Sequence, residues 1–526
     1  MAQLLHQLIQ SPLRQTPDKA AFRFGQGTLT YQQLDIQSNQ LANCLIEAGV
    51  KPGDRVGIYL NRCLETATAV YGILKSGAAF VPLDPGQPIS RTKDLIDRCQ
   101  MNVLISQKVQ NRRLLKITTQ QNQTKLVIGS QLDWQGDSIS WDQLDKFSTN
   151  DPNISCTAKD LAYIIFSSGT TGIPKGIMHT HASGMAYAEL SVGLYQANAD
   201  DIIGNFCALH FDQSTFGYFS SMLAGATTVI ISDALTKFPV SLLQMIEREK
   251  ISIWYSVPLV MIQMLKSGAL DQYDLSCLRW VKFGGEAFSA QQLAELMPHM
   301  PNAIFCNVYG PAEVNQCTYF HIREPFPNNQ IIPLGYVWDD TDILIVDNNN
   351  AVVEAGEVGE LLVSSTTMMR GYWDDEKLNS RAFFTVVGTD TKPKTYYRTG
   401  DLVCTSAGGD YPYGPNGEYL LYFMGRKDRQ IKTRGYRVEL AEVELAILSQ
   451  EDIAEATVMA LDNGEEGKLI KAFLVVKREI DINDLKKSLS SILPSYAIPS
   501  SWELLDSIPR TRNGKVDYQA LTKVYI

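Results

Sequence analysis

From Met1 to about residue 325, short apolar runs of strand length alternate with segments whose apolar positions recur at helical spacing. No other feature constrains the fold as much. Leu34 to Ala48 repeats its apolar positions as a helix does, and Arg55 to Leu60 reads as a strand. Residues 63–75 read as a helix, Ala78 to Val81 as a buried strand closed by Pro82, and 102–106 and 125–128 as further strands. Such alternation predicts an α/β sheet covered by helices. From 331 to 425 short strands (Asp342 to Val346, Gly359 to Val363, Tyr419 to Phe423) lie between Gly/Asn/Asp turns, which predicts a β-rich subdomain. The charged, unpatterned run Gly425-Arg-Lys-Asp-Arg429 reads as a hinge. Beyond it follow a strand (Gln430 to Val438), a helix (Glu439 to Ser449), strands at 454–460 and 468–476, a helix at 482–492 and a polar tail. At 526 residues the chain exceeds one ordinary core, so at least two domains are expected.

Within the alternating region one loop carries chemistry. The apolar run Leu161 to Phe166 hands over abruptly to Ser167, Ser168, Gly169, Thr170, Thr171, Gly172, Ile173, Pro174, Lys175 and Gly176. Glycines let a backbone turn tightly and bring N–H groups close to an anion. The four hydroxyls add donors, and Lys175 adds a mobile positive charge suited to phosphate oxygens. The spacing is not that of a Walker A loop, because no hydroxyl follows the lysine. It reads as a polyphosphate-binding loop of another kind.

Composition excludes several classes. Lys+Arg 47 against Asp+Glu 57 gives a net charge of −10, which argues against a nucleic-acid footprint. The nine cysteines are scattered without a C-x-x-C pair, as expected of reduced thiols in a cytoplasmic protein. The six histidines offer no zinc-like grouping. Met1 to Gln15 lacks the pattern of a signal peptide, and no apolar run of about 18 residues exists to span a membrane.

Four further stations stand out. Asn307-Val-Tyr-Gly-Pro-Ala-Glu313 follows an expected strand, Ala303 to Cys306. It combines an aromatic for stacking on a base, an amide for a base edge and a carboxylate for magnesium. Tyr397-Arg-Thr-Gly-Asp401 places a carboxylate after a Gly turn, suited to two ribose hydroxyls. Phe211-Asp212 precedes a Ser/Thr-rich helix start, and Asn513-Gly-Lys515 lies in a polar loop. Singly, Asn307 to Glu313, Tyr397 to Asp401 and Asn513 to Lys515 read better as ordinary turns or a solvated side chain, and Phe211-Asp212 reads equally well as a helix cap.

Their order resembles the adenylate-forming superfamily of acyl-CoA ligases, luciferases and amino-acid adenylation domains. The likeness is closest to adenylation domains of non-ribosomal peptide synthetases. The motifs that carry it are Leu29-Thr-Tyr-Gln-Gln-Leu34, Leu74 to Asp84, the loop at 166–176, Phe211 to Ser214, Asn307 to Glu313, and Gly359-Glu-Leu361 with Gly371-Tyr372. They continue through Tyr397 to Asp401, Gly425 to Glu439, Leu493 to Pro499 and Asn513 to Asp517.

The resemblance implies an α/β core over 1–427, with α/β subdomains to about 325 and a β-rich subdomain over about 326–427. A mobile α+β domain over 428–526 would hinge at Asp428. It also implies a two-step reaction with ATP and Mg²⁺. A carboxylate attacks the α-phosphorus, pyrophosphate leaves, and a thiol displaces AMP from the acyl adenylate. Lys515 would be catalytic, bridging the substrate carboxylate and the α-phosphate. Ser167, Ser168, Gly169, Thr170, Thr171, Gly172 and Lys175 would hold phosphates, Glu313 the magnesium, and Tyr309 and Asn307 the adenine. Asp401 would hold the ribose, with Gly285, Glu286, Ala287, Gly310, Ala312 and Arg426 completing the ATP site. Ala312 stands where many relatives have a threonine. Arg434 and Gly435 would line a pantetheine tunnel when the small domain rotates.

The implied substrate pocket comprises Asp212, Gln213, Phe216, Tyr255, Lys282, Gly284, Val308, Gln316 and Cys317, with Lys515. Asp212 would pair with an α-ammonium group, which distinguishes amino-acid activation from acyl- or aryl-CoA ligation. Phe216, Tyr255 and Val308 would form an apolar cup, and the constellation resembles stand-alone enzymes that load L-proline onto a carrier protein. Lys282 is expected to extend to solvent; pointing inward, it would suggest an acidic or amide-bearing side chain instead. The sequence closes 11 residues after Lys515 without a Gly-Gly-His-Ser-like site, so the expected partner is a separate phosphopantetheinylated carrier protein, met by a local basic patch.

Overall fold

A computed structural model of the chain describes residues 3–117, 124–134, 136–169, 173–327, 330–387, 393–406, 420–433, 435–463, 468–511 and 516–525. They fall into two units. The first comprises Met1–Pro85, Ile96–Ile165 and Gly176–Lys427, the second Gly86–Leu95, Phe166–Lys175 and Asp428–Ile526.

The first unit contains a nine-stranded sheet. Its order is Tyr336–Val337, Thr318–Ile322, Ile304–Tyr309, Trp280–Gly284, Ile253–Ser256, Ile202–Asn205, Thr227–Ile230, Ala20–Phe24 and Gly27–Thr30. The strands from Ile304–Tyr309 to Ala20–Phe24 are parallel. Layers on both faces of a parallel sheet leave its strands almost wholly buried. Ile253–Ser256 and Trp280–Gly284 are buried at every position. An eight-stranded sheet runs Gly371–Tyr372, Lys175–Thr180, Leu161–Ser167, Ala79–Pro82, Arg55–Tyr59, Val103–Ser106, Leu126–Ile128 and Asp137–Ile139. The helix Tyr31–Glu47 starts where the Thr30 side chain accepts from the Gln33 N–H and the Gln33 side chain returns to the cap. Its buried Leu34, Leu41 and Leu45 join Tyr71, Phe80 and Tyr163 in one core. A third, antiparallel sheet runs Thr341–Val346, Gly359–Ser365, Lys394–Thr405 and Phe383–Val386, with Leu421–Arg426 paired to Lys394–Thr405.

In the second unit the hairpin Gln430–Thr433/Tyr436–Glu439 precedes the helix Leu440–Leu448. A three-stranded sheet of Ile453–Asp462, Lys468–Val476 and Ser501–Leu504 follows, with the helices Ile482–Leu489 and Tyr518–Tyr525. Its core gathers Val443, Ile447, Val458, Ala472, Leu474 and Leu489.

The α/β class is the one expected, with three local differences. Gln430 to Val438 is a hairpin rather than one strand, because Gly435 adopts a left-handed φ of 79° and reverses the chain. The tail contains a strand and a helix. The strand expected to end at Cys306 runs on to Tyr309, so Asn307, Val308 and Tyr309 belong to it, and Glu313 follows in a turn.

Candidate functional site

In open α/β sheets, ligand-binding residues gather in loops beyond the carboxyl ends of the parallel strands. Several of the expected site residues of the first unit lie at or just beyond such ends. Tyr255 lies on Ile253–Ser256, Gly284 ends Trp280–Gly284, and Gly285 then turns with a φ of 91° into Glu286 and Ala287. Tyr309 ends its strand and Gly310 turns the chain toward Glu313. A Cβ on Gly310 would lie 2.4 Å from the Asn315 carbonyl oxygen, so only glycine fits there.

Asp401, 3% exposed, is met on both carboxylate oxygens. The Tyr309 hydroxyl donates to Oδ2 and the Arg426 guanidinium to Oδ1, each at 2.5 Å. Burial, and then the Asp401 charge, hold the Tyr309 phenol well above its usual range. These three residues, 25 or more positions apart in sequence, thus form one anchored group. Its carboxylate retains lone pairs for further donors. Asn307 Nδ2 donates to the Pro333 carbonyl at 2.7 Å. Glu313 is fully buried and accepts from the Tyr372 hydroxyl at 2.7 Å, while that hydroxyl lies 3.2 Å from the Tyr397 hydroxyl. His179 Nε2 lies 2.9 Å from the Ala312 carbonyl oxygen, and burial pushes this imidazole down to about 4.

The expected substrate residues cluster within the same unit. Asp212 opens the short helical turn Asp212–Ser214; burial, with a smaller part from the Asp212 charge, holds the phenols of Tyr163, Tyr187 and Tyr255 above their usual range. Gln213 accepts from the Cys207 thiol at 2.8 Å. Phe216 starts a π-helical turn, Phe216–Ser220, a distortion frequent at functional sites. Gly284 faces Val308 across the sheet so closely that a Cβ would lie 2.3 Å from the Val308 carbonyl oxygen. Cys317 is buried, and its N–H donates to the Tyr309 carbonyl at 2.9 Å.

Lys282 overturns the expectation of a solvent-facing side chain. It occupies the centre of a strand flanked on both sides, in register with Tyr255 and Cys306, and has no exposed surface. Its Nζ lies 4.0 Å from the ring centroid of Tyr195, 3.6 Å from that of Phe216 and 4.3 Å from that of Tyr255. Burial holds the amine well below the usual lysine range. Among the described residues, Nζ has no hydrogen-bond partner. Tyr195, at the end of the helix His181–Tyr195, was not singled out from the sequence; only tertiary packing brings it here.

In the second unit, Gly169 lies so close to the Ile173 carbonyl oxygen that a Cβ would come within 1.8 Å. Ser168 Oγ donates to the Arg437 carbonyl at 2.8 Å, and Lys175 Nζ to Glu439 Oε1 at 3.0 Å. Lys175, read from the sequence as mobile, is pinned by a buried carboxylate that also accepts from Gln430 at 2.6 Å. Ser167 Oγ is buried without a partner among the described residues. Asp428 is exposed, and its Oδ1 accepts from the Gln430 N–H at 3.1 Å. Thr170, Thr171, Gly172, Arg434 and Lys515 lie outside the described residues.

The model of the AMP-binding enzyme family matches residues 9–373, and that of the AMP-binding enzyme C-terminal domain matches 442–515. The chain belongs to the AMP-binding enzyme family. It is 33% identical over 525 residues to gramicidin S synthase 2 of Brevibacillus brevis, covering 99% of this chain but 11% of that protein. It is 28% identical over 524 residues to an L-proline–L-prolyl-carrier protein ligase of Pseudomonas fluorescens, covering 99% of each. The amide bond synthetase McbA from Marinactinospora thermotolerans shares the fold, with a TM-score of 0.85, 21% identity and 99% of each chain covered. All nine cysteines are free, and among the described residues no helix is long and apolar enough to cross a membrane.

Proposed function

We propose that the chain activates an amino acid as its aminoacyl adenylate, with release of pyrophosphate. It then passes the acyl group to the phosphopantetheine thiol of a carrier protein. What supports this reading is Asp212, a half-buried carboxylate that opens the turn Asp212–Ser214 just ahead of the aromatic Phe216. A carboxylate there complements an α-ammonium group and leaves a fatty or aryl acid with an unmatched charge beside it. The carrier is supported by the Pseudomonas relative, whose name specifies a carrier-protein ligase.

In this reading Asp401 accepts from the ribose hydroxyls, held in position by Tyr309 and Arg426, and the Tyr309 ring stacks on the adenine. Asn307 reads the base edge with its amide oxygen, since one amide hydrogen is committed to Pro333. Ser167, Ser168, Gly169 and Lys175, with Thr170, Thr171 and Gly172, hold phosphates. Lys515 supplies the ammonium that draws the carboxylate onto the α-phosphate. Asp428 is the hinge that alternates adenylation with thiol transfer, for which Arg434 and Gly435 line the entry of the pantetheine arm.

Among the described residues no group of three or more His, Cys, Asp or Glu side chains could cage a metal. A magnesium ion that arrives on phosphate oxygens needs only one or two protein carboxylates, and buried Glu313 fits that part. The ion would neutralise charge on the leaving pyrophosphate.

L-Proline is the substrate that the Pseudomonas relative's name supports, together with the apolar walls Phe216, Tyr255 and Val308. Inward Lys282 favours a second reading, an amino acid whose side chain carries a hydrogen-bond acceptor. An ATP–pyrophosphate exchange screen over all amino acids, with fatty and aryl acids as controls, tests the class. Exchange with at least one amino acid, abolished by Lys515→Ala, is expected. Exchange with fatty or aryl acids alone defeats the reading in favour of an acyl- or aryl-CoA ligase.

A further inference from the structure

Lys282 is an expensive residue for a sheet interior. Even as a neutral amine, a buried nitrogen with no acceptor costs roughly 1–3 kcal/mol, and a Met of similar length would fill the same volume without that cost. Three aromatic faces ease the burial of a cation but offer its N–H groups no lone pair of ordinary strength. A second unused polar atom lies in the same cluster. Gln316, 2% exposed, donates from Nε2 to the Tyr195 hydroxyl at 3.1 Å, and its Oε1 is buried with no partner among the described residues. Tyr195 is therefore shared. Its ring covers Lys282 and its hydroxyl takes the Gln316 amide. The two ends of an amide are interchangeable in such an assignment, since the Tyr195 hydroxyl can accept from nitrogen or donate to oxygen. Whichever end faces Tyr195, Gln316 keeps one unused polar group.

Two orphaned polar side chains, both more than nine-tenths buried and meeting at Tyr195, with Phe216 and Tyr255 also against Lys282, amount to a site built for a polar group that arrives with a ligand.

We propose that Lys282 and Gln316 select an amino acid whose side chain ends in a carboxylate or carboxamide. The inference rests on the reading above, in which this cluster lines the amino-acid pocket. The substrate's side-chain oxygen accepts from Lys282 Nζ. Gln316 takes the amide hydrogens of a carboxamide, or turns its own NH₂ toward a carboxylate. The aromatic walls fix the group between them. A side chain with no acceptor leaves both groups unpaired and is rejected for that reason. Sites built to hydrogen-bond a substrate group discriminate strongly against analogues that lack it.

The test is ATP–pyrophosphate exchange by the full chain with Asp, Glu, Asn, Gln, Pro, Ser, Leu and Met. The preferred substrate is expected among the first four, with kcat/KM about a hundredfold above that of the apolar amino acid of matching length. Lys282→Met should erase this gap, mainly through KM, raise exchange with the apolar analogue and leave the KM for ATP unchanged. Gln316→Leu, a milder change should Lys282→Met fail to fold, should lower kcat/KM for the preferred substrate about tenfold at unchanged KM for ATP. Preference for proline, serine or an apolar amino acid overturns this inference while leaving amino-acid activation standing. So does a Lys282→Met or Gln316→Leu enzyme that folds and keeps the wild-type order of substrates. Exchange confined to fatty or aryl acids overturns the underlying reading as well.

Discussion

Glu313 shows how much a single side chain depends on neighbours far away in sequence. Its carboxylate is fully buried and takes a hydrogen bond from Tyr372, 59 positions on, whose hydroxyl in turn lies beside that of Tyr397. A hydrogen bond to a buried carboxylate contributes roughly 1.5–3 kcal/mol. Tyr372→Phe keeps the ring and removes only that donor. The expected outcome is a loss of about 2 kcal/mol in urea unfolding, with a raised Mg²⁺ requirement in pyrophosphate exchange. Unchanged unfolding midpoint and unchanged Mg²⁺ dependence would show that Tyr372 does not support the carboxylate. Lys282 marks the limit of reading residues from a string. Its position between Val281 and Phe283 gives no sign of direction, and a lysine defaults to water. The two flanking strands and the rings of Tyr195, Phe216 and Tyr255 close off that route.

At the scale of elements, the loop after Leu161–Ser167 was legible because its composition is so restricted. Gly169 in particular has a purely geometric role, since a Cβ would run into the Ile173 carbonyl oxygen. Gly169→Ala must therefore open the loop. The expected result is a KM for ATP raised about tenfold or more with the amino-acid KM little changed, and a near-native circular dichroism spectrum. An unaltered KM for ATP would remove this loop from the phosphate site. The parallel strands were legible for a similar reason, since burial on both faces writes them as unbroken apolar runs such as Ile253–Ser256. Strand ends were not. Asn307 and Tyr309 look like loop residues by type, yet pairing with Phe320 and Thr318 carries the strand through them. The hairpin at 430–439 hid for the opposite reason. Its alternation continues across the turn, and Gly435 alone signals the reversal.

Across the whole molecule, the histidines are distributed unevenly: all six lie within the first unit's segments and none in the second's. Burial pushes His6 and His179 down to about 4, His181 to about 3 and His321 to about 4. In an unfolded chain these imidazoles titrate near 6.5. Between about pH 6.5 and 4 the unfolded state therefore binds more protons than the native one, and stability must fall as the pH falls through that window. Each buried imidazole contributes roughly 1 kcal/mol per pH unit there. The second unit has an opposite element. Burial raises the Glu442 carboxyl above its usual value, despite the attraction of Arg91. The native second unit therefore takes up that proton before the unfolded one does, a contribution that grows as the solution is acidified. Acid should thus weaken the first unit while sparing the second. Hydrogen exchange read by mass spectrometry at pH 7 and pH 5, with intrinsic rates corrected for pH, separates peptides of the two units. Protection in the core strands Ile202–Asn205, Ile253–Ser256 and Trp280–Gly284 should drop by orders of magnitude, with the strands Ile453–Asp462 and Lys468–Val476 changing far less. Equal loss in both units, or none in the first, would mean that the buried imidazoles do not control the molecule's acid stability.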